Sequence, residues 1–493
     1  MKKSDSNIFL DRRQFLKRTA LGAAGLGAIN LFSVRSWSQV IGANDTVRLA
    51  VVGLRGKGKS HVRNFREIPG VKVAAICDVD ADILAKARAG FEEQGESVKT
   101  FLNYQTLLEQ KDIDAVVIAT PNHWHTLMAI WALEAGKHVY VEKPISHNVW
   151  EGRQLVHAAA NSPLVVQHGS QKRSVQALAD AVAYIRAGNL GRIKVSRGLC
   201  YKRRRSIGWV DKPQPLPPSV DYNLWTGPAR LEPLMRERLH YDWHWVWNTG
   251  NGDLGNQGIH EVDIARWFLG DPAMPKRVLS VGGRFGYVDN GETPNTQAIM
   301  FDYEEAPLLF EVRGLPISSE IDGMDNYKGI RVGVVVECED GYFAGGGGGG
   351  WVYTNDGERI QAFDGDKGAL HARNFIDAIR AGDPSMANGK VERGHISSAL
   401  CHLGNISQRL GSEKGIDGIA DRIRSNADMA DAFGRMMEHC ANNHVDYAVT
   451  PAALGAGLVL DRANERFTGD LSDEANKLIS REYRPGFVVP DLS

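Results

Sequence analysis

Short apolar runs alternate with stretches of helical periodicity along the first part of the chain. These runs are Thr46–Val52, Val71–Cys77, Ile113–Ala119, His138–Val141 and Leu164–Gln167. Buried strands that alternate with helices at this spacing are typical of βαβ units in a parallel sheet. The pattern predicts a doubly wound Rossmann domain over about residues 45–190.

The pattern changes after the turn at Gly188–Gly191. The later apolar runs are strand-like with few helices between them: Ile193–Leu199, Arg277–Val281, Gln297–Asp302, Leu308–Val312 and Ile330–Glu337. They predict a C-terminal α/β domain over residues 191–493, built on a large, mostly antiparallel sheet. We expect the six glycines Gly345–Gly350 to form either a flexible loop or a turn in which backbones approach closely. Helices are expected again at Ala369–Arg380 and Ser397–Leu410, packing on the first domain.

Residues 1–38 have the three parts of an export signal. Basic residues precede a mildly apolar run, and Ser36-Trp37-Ser38 is a candidate cleavage site. Arg12-Arg13 with Phe15-Leu16-Lys17 resembles a twin-arginine signal, which exports folded proteins, although Asp11 stands where Ser or Thr is usual. We therefore expect a periplasmic or secreted protein with no membrane segment once the signal is removed. An amphipathic N-terminal helix is the alternative.

Composition narrows the function classes further. The 493 residues are 43% hydrophobic and 24% charged, with a formal net charge of −1, and removal of the basic residues 1–38 leaves about −6. Such a charge argues against nucleic-acid binding. The five cysteines are scattered without a CxxC pair, and no His, Asp or Glu set has metal-ligand spacing. Neither a disulfide framework nor a metal site is expected.

A glycine loop follows the first predicted strand and precedes a helix. Its sequence is Gly53-Leu54-Arg55-Gly56-Lys57-Gly58, in the context that a dinucleotide-binding loop requires. Arg55 occupies the usual position of the second glycine, so either the loop shifts its register or Arg55 contacts the pyrophosphate. Asp78 ends the second strand, where a carboxylate binds the adenosine ribose and disfavours a 2′-phosphate. These residues predict an NAD site that prefers NAD⁺ over NADP⁺.

Several motifs then occur in an order that resembles one enzyme family. They are Gly53…Gly58 with His61, Thr120-Pro121-Asn122-His123-Trp124-His125, Glu142-Lys143-Pro144, Asn256-Gln257-Gly258-Ile259-His260-Glu261-Val262-Asp263, and Asn374-Phe375-Ile376-Asp377-Ala378-Ile379. Together they resemble the glucose–fructose oxidoreductase / inositol dehydrogenase (Gfo/Idh/MocA) family over nearly the whole chain after the signal. The resemblance implies an active site between the two domains and homo-oligomers that associate through the open sheet face.

The resemblance also implies roles for individual residues. Lys143 matches the family lysine that bridges a substrate hydroxyl and the nicotinamide ribose, in a turn fixed by Glu142 and Pro144. His260 matches the catalytic histidine, for which an ordinary pKa near ~6.5 would suit proton exchange with a sugar hydroxyl. The residues that match the cofactor-lining loop are Thr120, Asn122 and His125.

One departure from the family concerns the residue four positions before His260. The sugar dehydrogenases carry Asp there, and this chain has Asn256. An amide can bind substrate but cannot act as a charged acceptor for imidazole, so Asn256 indicates a modified chemistry at a catalytic position. Asp263 either restores a carboxylate for the substrate or serves as a structural helix residue.

Three further features suggest the substrate. Trp243, Trp245 and Trp247 alternate along the chain, and indole faces stack on sugars, although a tryptophan-rich core is equally consistent. Arg173 lies either in the substrate cleft or at the surface. The run Lys202–Arg205 would bind an acidic sugar or form a solvated loop. We take Arg173, Trp243 and Asp263 as candidate substrate contacts.

These observations leave three classes of function. The first is an NAD-dependent oxidoreductase of a sugar, cyclitol or glycoside, with a tightly held NAD that is recycled. The second is a redox-neutral enzyme that oxidises a sugar carbon transiently and then cleaves or epimerises. The third is a sugar-binding relic without activity, against which the presence of both Lys143 and His260 argues.

Overall fold

The computed structural model describes residues 46–366, 368–413 and 415–493, so the predicted export signal lies outside the described residues. The first sheet has six parallel strands in the order β3-β2-β1-β4-β5-β6. Its strands are β1 Val47–Val52, β2 Val71–Cys77, β3 Lys99–Phe101, β4 Ala115–Ile118, β5 His138–Val141 and β6 Val166–His168. This order is that of a Rossmann sheet, which confirms the predicted fold of the first domain.

Helices cover both faces of this sheet because its central strands are apolar on both sides. Val47, Leu49 and Val51 enter one hydrophobic cluster, whereas Ala50 and Val52 enter another on the opposite face. Such burial on two faces is expected of a parallel sheet. The helices of this part of the chain are α1 Gly56–Arg66, α2 Ala81–Glu92, α3 Tyr104–Leu108, α4 His125–Glu134, α5 Val149–Ala160 and α6 Gln176–Arg186.

The second sheet has twelve strands and is mixed. Its path is β14-β13-β12-β11-β7-β10-β9-β8-β16-β15, with β17 paired to β8 and β18. Among the described strands of this second sheet, only β7 and β10 pair in parallel. The strands are β7 Ile193–Cys200, β8 Arg277–Gly283, β9 Thr296–Asp302, β10 Leu308–Arg313, β11 Val332–Cys338, β12 Gly341–Gly346, β13 Gly349–Thr354, β14 Arg359–Asp364, β15 Ser412–Glu413, β16 Ala453–Leu454, β17 Leu458–Asp461 and β18 Arg466–Thr468.

The remaining helices of the described residues follow β7 in the chain, and two of them pack on the Rossmann part. They are α7 Tyr222–Thr226, α8 Ile259–Phe268, α9 His371–Ala381, α10 Val391–Arg409, α11 Ile416–Ile423, α12 Ala427–Asn442 and α13 Ser472–Lys477. Phe375 and Ile379 of α9 pack on the Rossmann sheet, as expected for the returning helices. The long helix α10 lies between α5 and the second sheet. The predicted boundary at residues 190 and 191 falls between β6 and β7 and stays a prediction.

The glycine run forms a turn with closely approaching backbones, one of the two expected alternatives, and not a flexible loop. Gly345 and Gly350 pair across an antiparallel hairpin made by the ends of β12 and β13. A Cβ on Gly345 would lie 2.4 Å from the carbonyl oxygen of Gly349, so the close approach of the two backbones requires glycine.

Three properties of the described residues bear on function. No described helix is long and apolar enough to cross a membrane. Within the described ranges, no group of three His, Cys, Asp or Glu side chains is arranged to hold a metal ion. All five cysteines are buried free thiols.

Candidate active site between the two sheets

The glycine loop brings the backbone of α1 close to the end of β1. Gly53 has φ +82°, and a Cβ there would lie 2.7 Å from the carbonyl oxygen of Ala119. A Cβ on Gly58 would lie only 1.7 Å from the carbonyl oxygen of Gly53. Helix α1 begins at Gly56 and has no side-chain cap. Its first N–H groups are therefore available to an anion at the loop.

Hydrogen bonds of Asp78 and Arg55 hold the glycine loop in position. Two backbone N–H groups donate to the Asp78 carboxylate, Leu54 to Oδ2 at 2.7 Å and Asp80 to Oδ1 at 3.0 Å. Burial raises the pKa of Asp78, although these two hydrogen bonds oppose it. Arg55 donates from Nη2 to Asp80 Oδ2 at 2.7 Å. Its guanidinium is thus paired with a carboxylate at the cavity wall, and a contact between Arg55 and a pyrophosphate stays a prediction.

The lysine turn follows β5. Lys143 donates from Nζ to the carbonyl oxygen of Asn256 at 2.6 Å, and the Lys143–Pro144 peptide bond is cis. Burial lowers the pKa of Lys143, against the charge of Glu142. Burial would raise the pKa of Glu142, but the hydrogen bond to His61 at 2.8 Å and the nearby lysines hold it well below its usual value. Glu142 is therefore an anion beneath the lysine turn.

The loop after β4 supports that turn. His125 lies between two carbonyl oxygens, 2.6 Å from that of Pro144 and 2.8 Å from that of Thr120. Asn122 donates from Nδ2 to Asn251 Oδ1 at 2.9 Å and so reaches the second domain. These contacts fix the position of the loop, with Thr120 half-buried at the edge of the cavity described below.

His260 stands in the first turn of α8, directly after a π-helical turn over Leu254–Gly258. Such turns are frequent at functional sites. Its Nδ1 is buried and has no hydrogen-bond partner among the described residues. Desolvation, followed by the charges of Lys143 and Lys172, lowers the pKa of His260 well below its usual value. The ordinary pKa that the sequence suggested is wrong, and the imidazole is neutral at pH 7.

One cavity of about 570 Å³ joins these elements. Lys143, Asn256 and His260 line it together with the glycine loop. The other candidate residues that line it are Gly53, Arg55, Gly56, Asp78, Thr120, Asn122, His125, Glu142 and Trp243. Gly58 and Pro144 do not line it but shape the loop and the turn that do.

Arg173 and Asp263 lie elsewhere. Arg173 donates to both oxygens of Asp263 at 2.8 Å and to Asp271, and its guanidinium lies 4.7 Å from the Trp267 ring centre. The side chains of Arg173 and Asp263 are each 1% exposed. Neither lines the cavity, so the structure places them in a buried ion pair. For Asp263 this is the structural role that was one of its two alternatives, whereas Arg173 lies neither in the substrate cleft nor at the surface.

The three alternating tryptophans lie in different surroundings. Trp243 lines the cavity and stacks on His244 with ring centres 3.6 Å apart. Trp245 is buried beside Arg204, and Trp247 lies beneath Arg409. A short 3₁₀ helix over 242–245 breaks the alternation, because it rotates successive side chains to different faces.

A segment of the second domain, which we call the cover (residues 219–245), forms another wall of the cavity. It pairs with the end of β2 through an Asp80–Val220 bridge, in which the Asp221 N–H donates to the Val79 carbonyl oxygen at 3.2 Å. Trp124 donates from Nε1 to the Trp225 carbonyl oxygen at 3.0 Å. The cover residues that line the cavity are Trp225, His240, Tyr241, Trp243 and His244. Sequence reasoning missed most of them, and the clustered aromatic residues were the available signal.

The described residues fit a bound dinucleotide. The uncapped start of α1 faces the cavity with a close backbone approach at Gly53, which suits a pyrophosphate. Asp78 ends β2 in the same cavity, where a ribose would lie. Lys143 and His260, whose Nδ1 has no partner among the described residues, line the same cavity.

Family comparisons agree with this architecture. Residues 47–170 match the model of the Gfo/Idh/MocA oxidoreductase family, NAD-binding Rossmann fold. Residues 189–294 match the C-terminal alpha/beta domain of the same family. The first segment is therefore an NAD-binding Rossmann domain.

Curated relatives match over a limited region. A glycosyl hydrolase family 109 protein of Shewanella pealeana is 34% identical over 168 residues, which are 30% of this chain and 37% of that protein. One from Solibacter usitatus is 35% identical over 159 residues, 30% of this chain and 36% of that protein. The matched region thus spans little more than a third of these relatives.

Solved structures share the fold at low identity. The WlbA dehydrogenase from Bordetella pertussis, in complex with NADH and UDP-GlcNAcA, has a TM-score of 0.51 and 20% identity, with 73% of this chain and 95% of that chain covered. An oxidoreductase domain protein from Kribbella flavida has a TM-score of 0.53 and 18% identity, with 73% and 96% covered. Residues 47–170 and 189–294 thus match the two domain models of the Gfo/Idh/MocA oxidoreductase family, and the solved structures share the fold of this chain.

Proposed function

We propose that the protein oxidises a carbinol carbon of a sugar or glycoside with bound NAD and reduces it again within one catalytic cycle. The net reaction is then redox-neutral, with cleavage of a glycoside as its outcome. The observation that carries this proposal is the single cavity that holds the glycine loop, Lys143 and His260 beneath the cover.

The protein's own residues supply the acid–base chemistry. Neutral His260 accepts the proton of a substrate hydroxyl, and the Lys143 ammonium stabilises the oxygen that loses it. The hydrogen bond from Lys143 to the Asn256 carbonyl oxygen ties the two halves of this site together. Asn256 adds no negative charge beside His260, so its side chain does not favour the protonated form of the imidazole.

NAD, when bound, would take a hydride from the sugar carbon and give it back. The cover would help to hold reactants during such a cycle, because its aromatic residues line the cavity beside the glycine loop, Lys143 and His260. The proposed export adds a reason for recycling, since a folded protein carried out of the cytoplasm has little free NAD to exchange with.

The name of the curated relatives favours cleavage over epimerisation. They are called glycosyl hydrolase family 109 proteins, a name that fits glycoside cleavage. Hydrolysis through a transient oxidation would use the same neutral base and the same lysine as a dehydrogenase.

The test measures product formation and NADH together. Purified protein is analysed for bound nicotinamide and then given a panel of aryl glycosides without added cofactor. We expect aglycone release with no net NADH, and loss of release by at least about 1,000-fold in Lys143→Ala and His260→Ala, as for removal of a catalytic group. Lys111→Ala and His157→Ala, which lie outside the cavity, should retain activity.

Two outcomes would contradict the proposal. Stoichiometric NADH accumulation over many turnovers with free NAD⁺ would indicate an ordinary dehydrogenase. Sugar binding without turnover of any glycoside would indicate a relic.

A further inference from the structure

A second cavity of about 370 Å³ lies on the far side of Asn251 from the cofactor cavity. Asn251 lines it and accepts the hydrogen bond from Asn122, which lines the first cavity, so the two cavities share a wall. Its lining comes from four separate parts of the chain: the loop after the lysine turn, residues 230–251, helix α10 and the C-terminal segment 478–482.

The second cavity carries a net positive charge. Three arginines line it, Arg230, Arg409 and Arg481, against the single carboxylate of Glu482. His147 and His402 also line it, and burial lowers the pKa of both, so they are neutral at pH 7. A cavity with this lining attracts anions.

Some of its donors have no protein partner. Nη1 of Arg481 and Nε2 of His147 are both buried without a hydrogen-bond partner among the described residues. Glu151 lies 3.7 Å from Nε of Arg481, but its carboxylate already accepts hydrogen bonds from Asn148, Tyr483 and the His147 N–H. Unpaired buried donors are costly, and an oxyanion would satisfy them.

Carboxylates outside the lining offset only part of this charge. Arg230 pairs with Glu232 at 3.1 Å, with both side chains largely exposed. The Arg409 guanidinium has no ion pair with a described residue; it lies 5.2 Å from the Trp247 ring centre. Arg409 and Trp247 together offer a cation beside a flat apolar face, next to Ile406.

We propose that this second cavity binds a small molecule with a phosphate or carboxylate group, with Arg409 and Arg481 as the anion contacts and Trp247 beneath the rest of the ligand. The site is separate from the NAD cavity and independent of the proposed function.

The test uses inorganic phosphate and glucuronate as probes on the full protein, by titration calorimetry at low ionic strength. We expect one saturable site, about tenfold weaker in Arg409→Gln, with NAD affinity unchanged. Arg409 is exposed, so this variant should fold, and its thermal unfolding is measured alongside. Arg424→Gln, at an arginine 80% exposed on another helix, is the matched control.

The two probes distinguish the ligand chemistry, since binding of phosphate alone or of glucuronate alone identifies the group recognised. Three results would overturn the proposal: no saturable binding of either probe, equal binding in Arg409→Gln, or displacement of the probe by NAD, which would place the anion at the glycine loop.

Discussion

At the scale of residues, Lys143 and His260 share one electrostatic environment with opposite consequences for their charges. Removal from solvent lowers the pKa of both groups. The positive charges of nearby lysines lower both pKa values further, because they disfavour a second positive charge close by. For His260 this stabilises the neutral base that proton abstraction needs. For Lys143 it narrows the pH range over which the ammonium persists, because the charged form loses a proton more readily than in water.

The pH profile of activity should show both effects. Below its lowered pKa His260 is protonated and cannot accept a proton, so we expect the acid limb of kcat/KM below the usual histidine value of about 6.5. Above its own lowered pKa Lys143 loses its charge, so the alkaline limb should fall below the usual lysine value of about 10.4. Product formation measured from pH 4 to 11 gives both limbs.

Lys143→Arg serves as the control for the assignment. Arginine keeps its charge at high pH, so any residual activity should lose the alkaline limb. An acid limb above pH 6.5 would show that a group other than neutral His260 accepts the proton.

The sequence predicted the location of Lys143 and His260 better than that of the other charged candidates, Arg173 and Asp263. The motifs around Lys143 and His260 brought both to one cavity, as the resemblance implied. Arg173 and Asp263 could not be distinguished from substrate contacts, because a buried ion pair and a charged cleft use the same residue types. Only the positions of Asp271 and Trp267 show that the pair is buried.

At the scale of elements, the cofactor loop depends on contacts between backbones rather than on side chains. The two glycines at its ends serve different purposes. Gly53 adopts a left-handed conformation against Ala119, whereas Gly58 allows the first turn of α1 to pass over the Gly53 carbonyl. The N–H groups of α1 face the cavity only while both approaches are kept.

Replacement of Gly58 by alanine should therefore abolish cofactor binding. The new Cβ would lie 1.7 Å from a backbone oxygen, which cannot move without displacing the loop. We expect NAD affinity to fall by at least about 100-fold, roughly 3 kcal/mol, measured by titration calorimetry with thermal unfolding followed in parallel.

Gly90→Ala provides the comparison. Gly90 lies inside α2 with open space around its Cβ position, so alanine should be neutral or slightly stabilising there. Normal NAD binding by Gly58→Ala would show that the loop does not hold the cofactor as described.

Strand prediction succeeded where apolar runs were buried, whereas at Gly345–Gly350 it left a flexible loop and a close-approach turn as alternatives. Val71–Cys77 and His138–Val141 form strands with the predicted bounds, because burial on both faces gives continuous apolar runs. The run Gly345–Gly350 has no side-chain pattern from which pairing could be predicted. Its hairpin depends on the approach of two backbones, which single-sequence patterns do not encode.

At the scale of the whole molecule, the cofactor cavity is enclosed by parts of the chain far apart in sequence. The glycine loop comes from residues 53–58 and the cover from 219–245, with Trp124 bonded to the carbonyl of Trp225 between them. Nothing in the local pattern of residues 219–245 indicated that they pair with the end of β2. We infer that NAD leaves only when this contact opens.

Gly227→Ala should accelerate NAD release. Gly227 has φ +50°, and a Cβ there would lie 2.1 Å from Cζ2 of Trp124, so alanine would push the cover away from α4. We expect the dissociation rate of bound NAD to rise by at least about tenfold, equivalent to roughly 1.4 kcal/mol. Loss of NAD during repeated gel filtration, followed by chromatography, measures it.

The matched control is Gly418→Ala on α11, where a Cβ meets open space. Equal retention of NAD in Gly227→Ala and the wild type would mean that the cover does not limit cofactor exchange.

Cys77 gives this enclosure a further consequence. Its sulfur ends β2 in the wall of the cofactor cavity, and burial, with the charge of Asp78, raises the pKa of the thiol. An alkylating reagent reaches such a sulfur only through the same opening that NAD uses, and a bound dinucleotide along β2 would stand in its way. The rate of alkylation at Cys77 would therefore record both the opening of the cavity and its occupancy, with no label added to the protein.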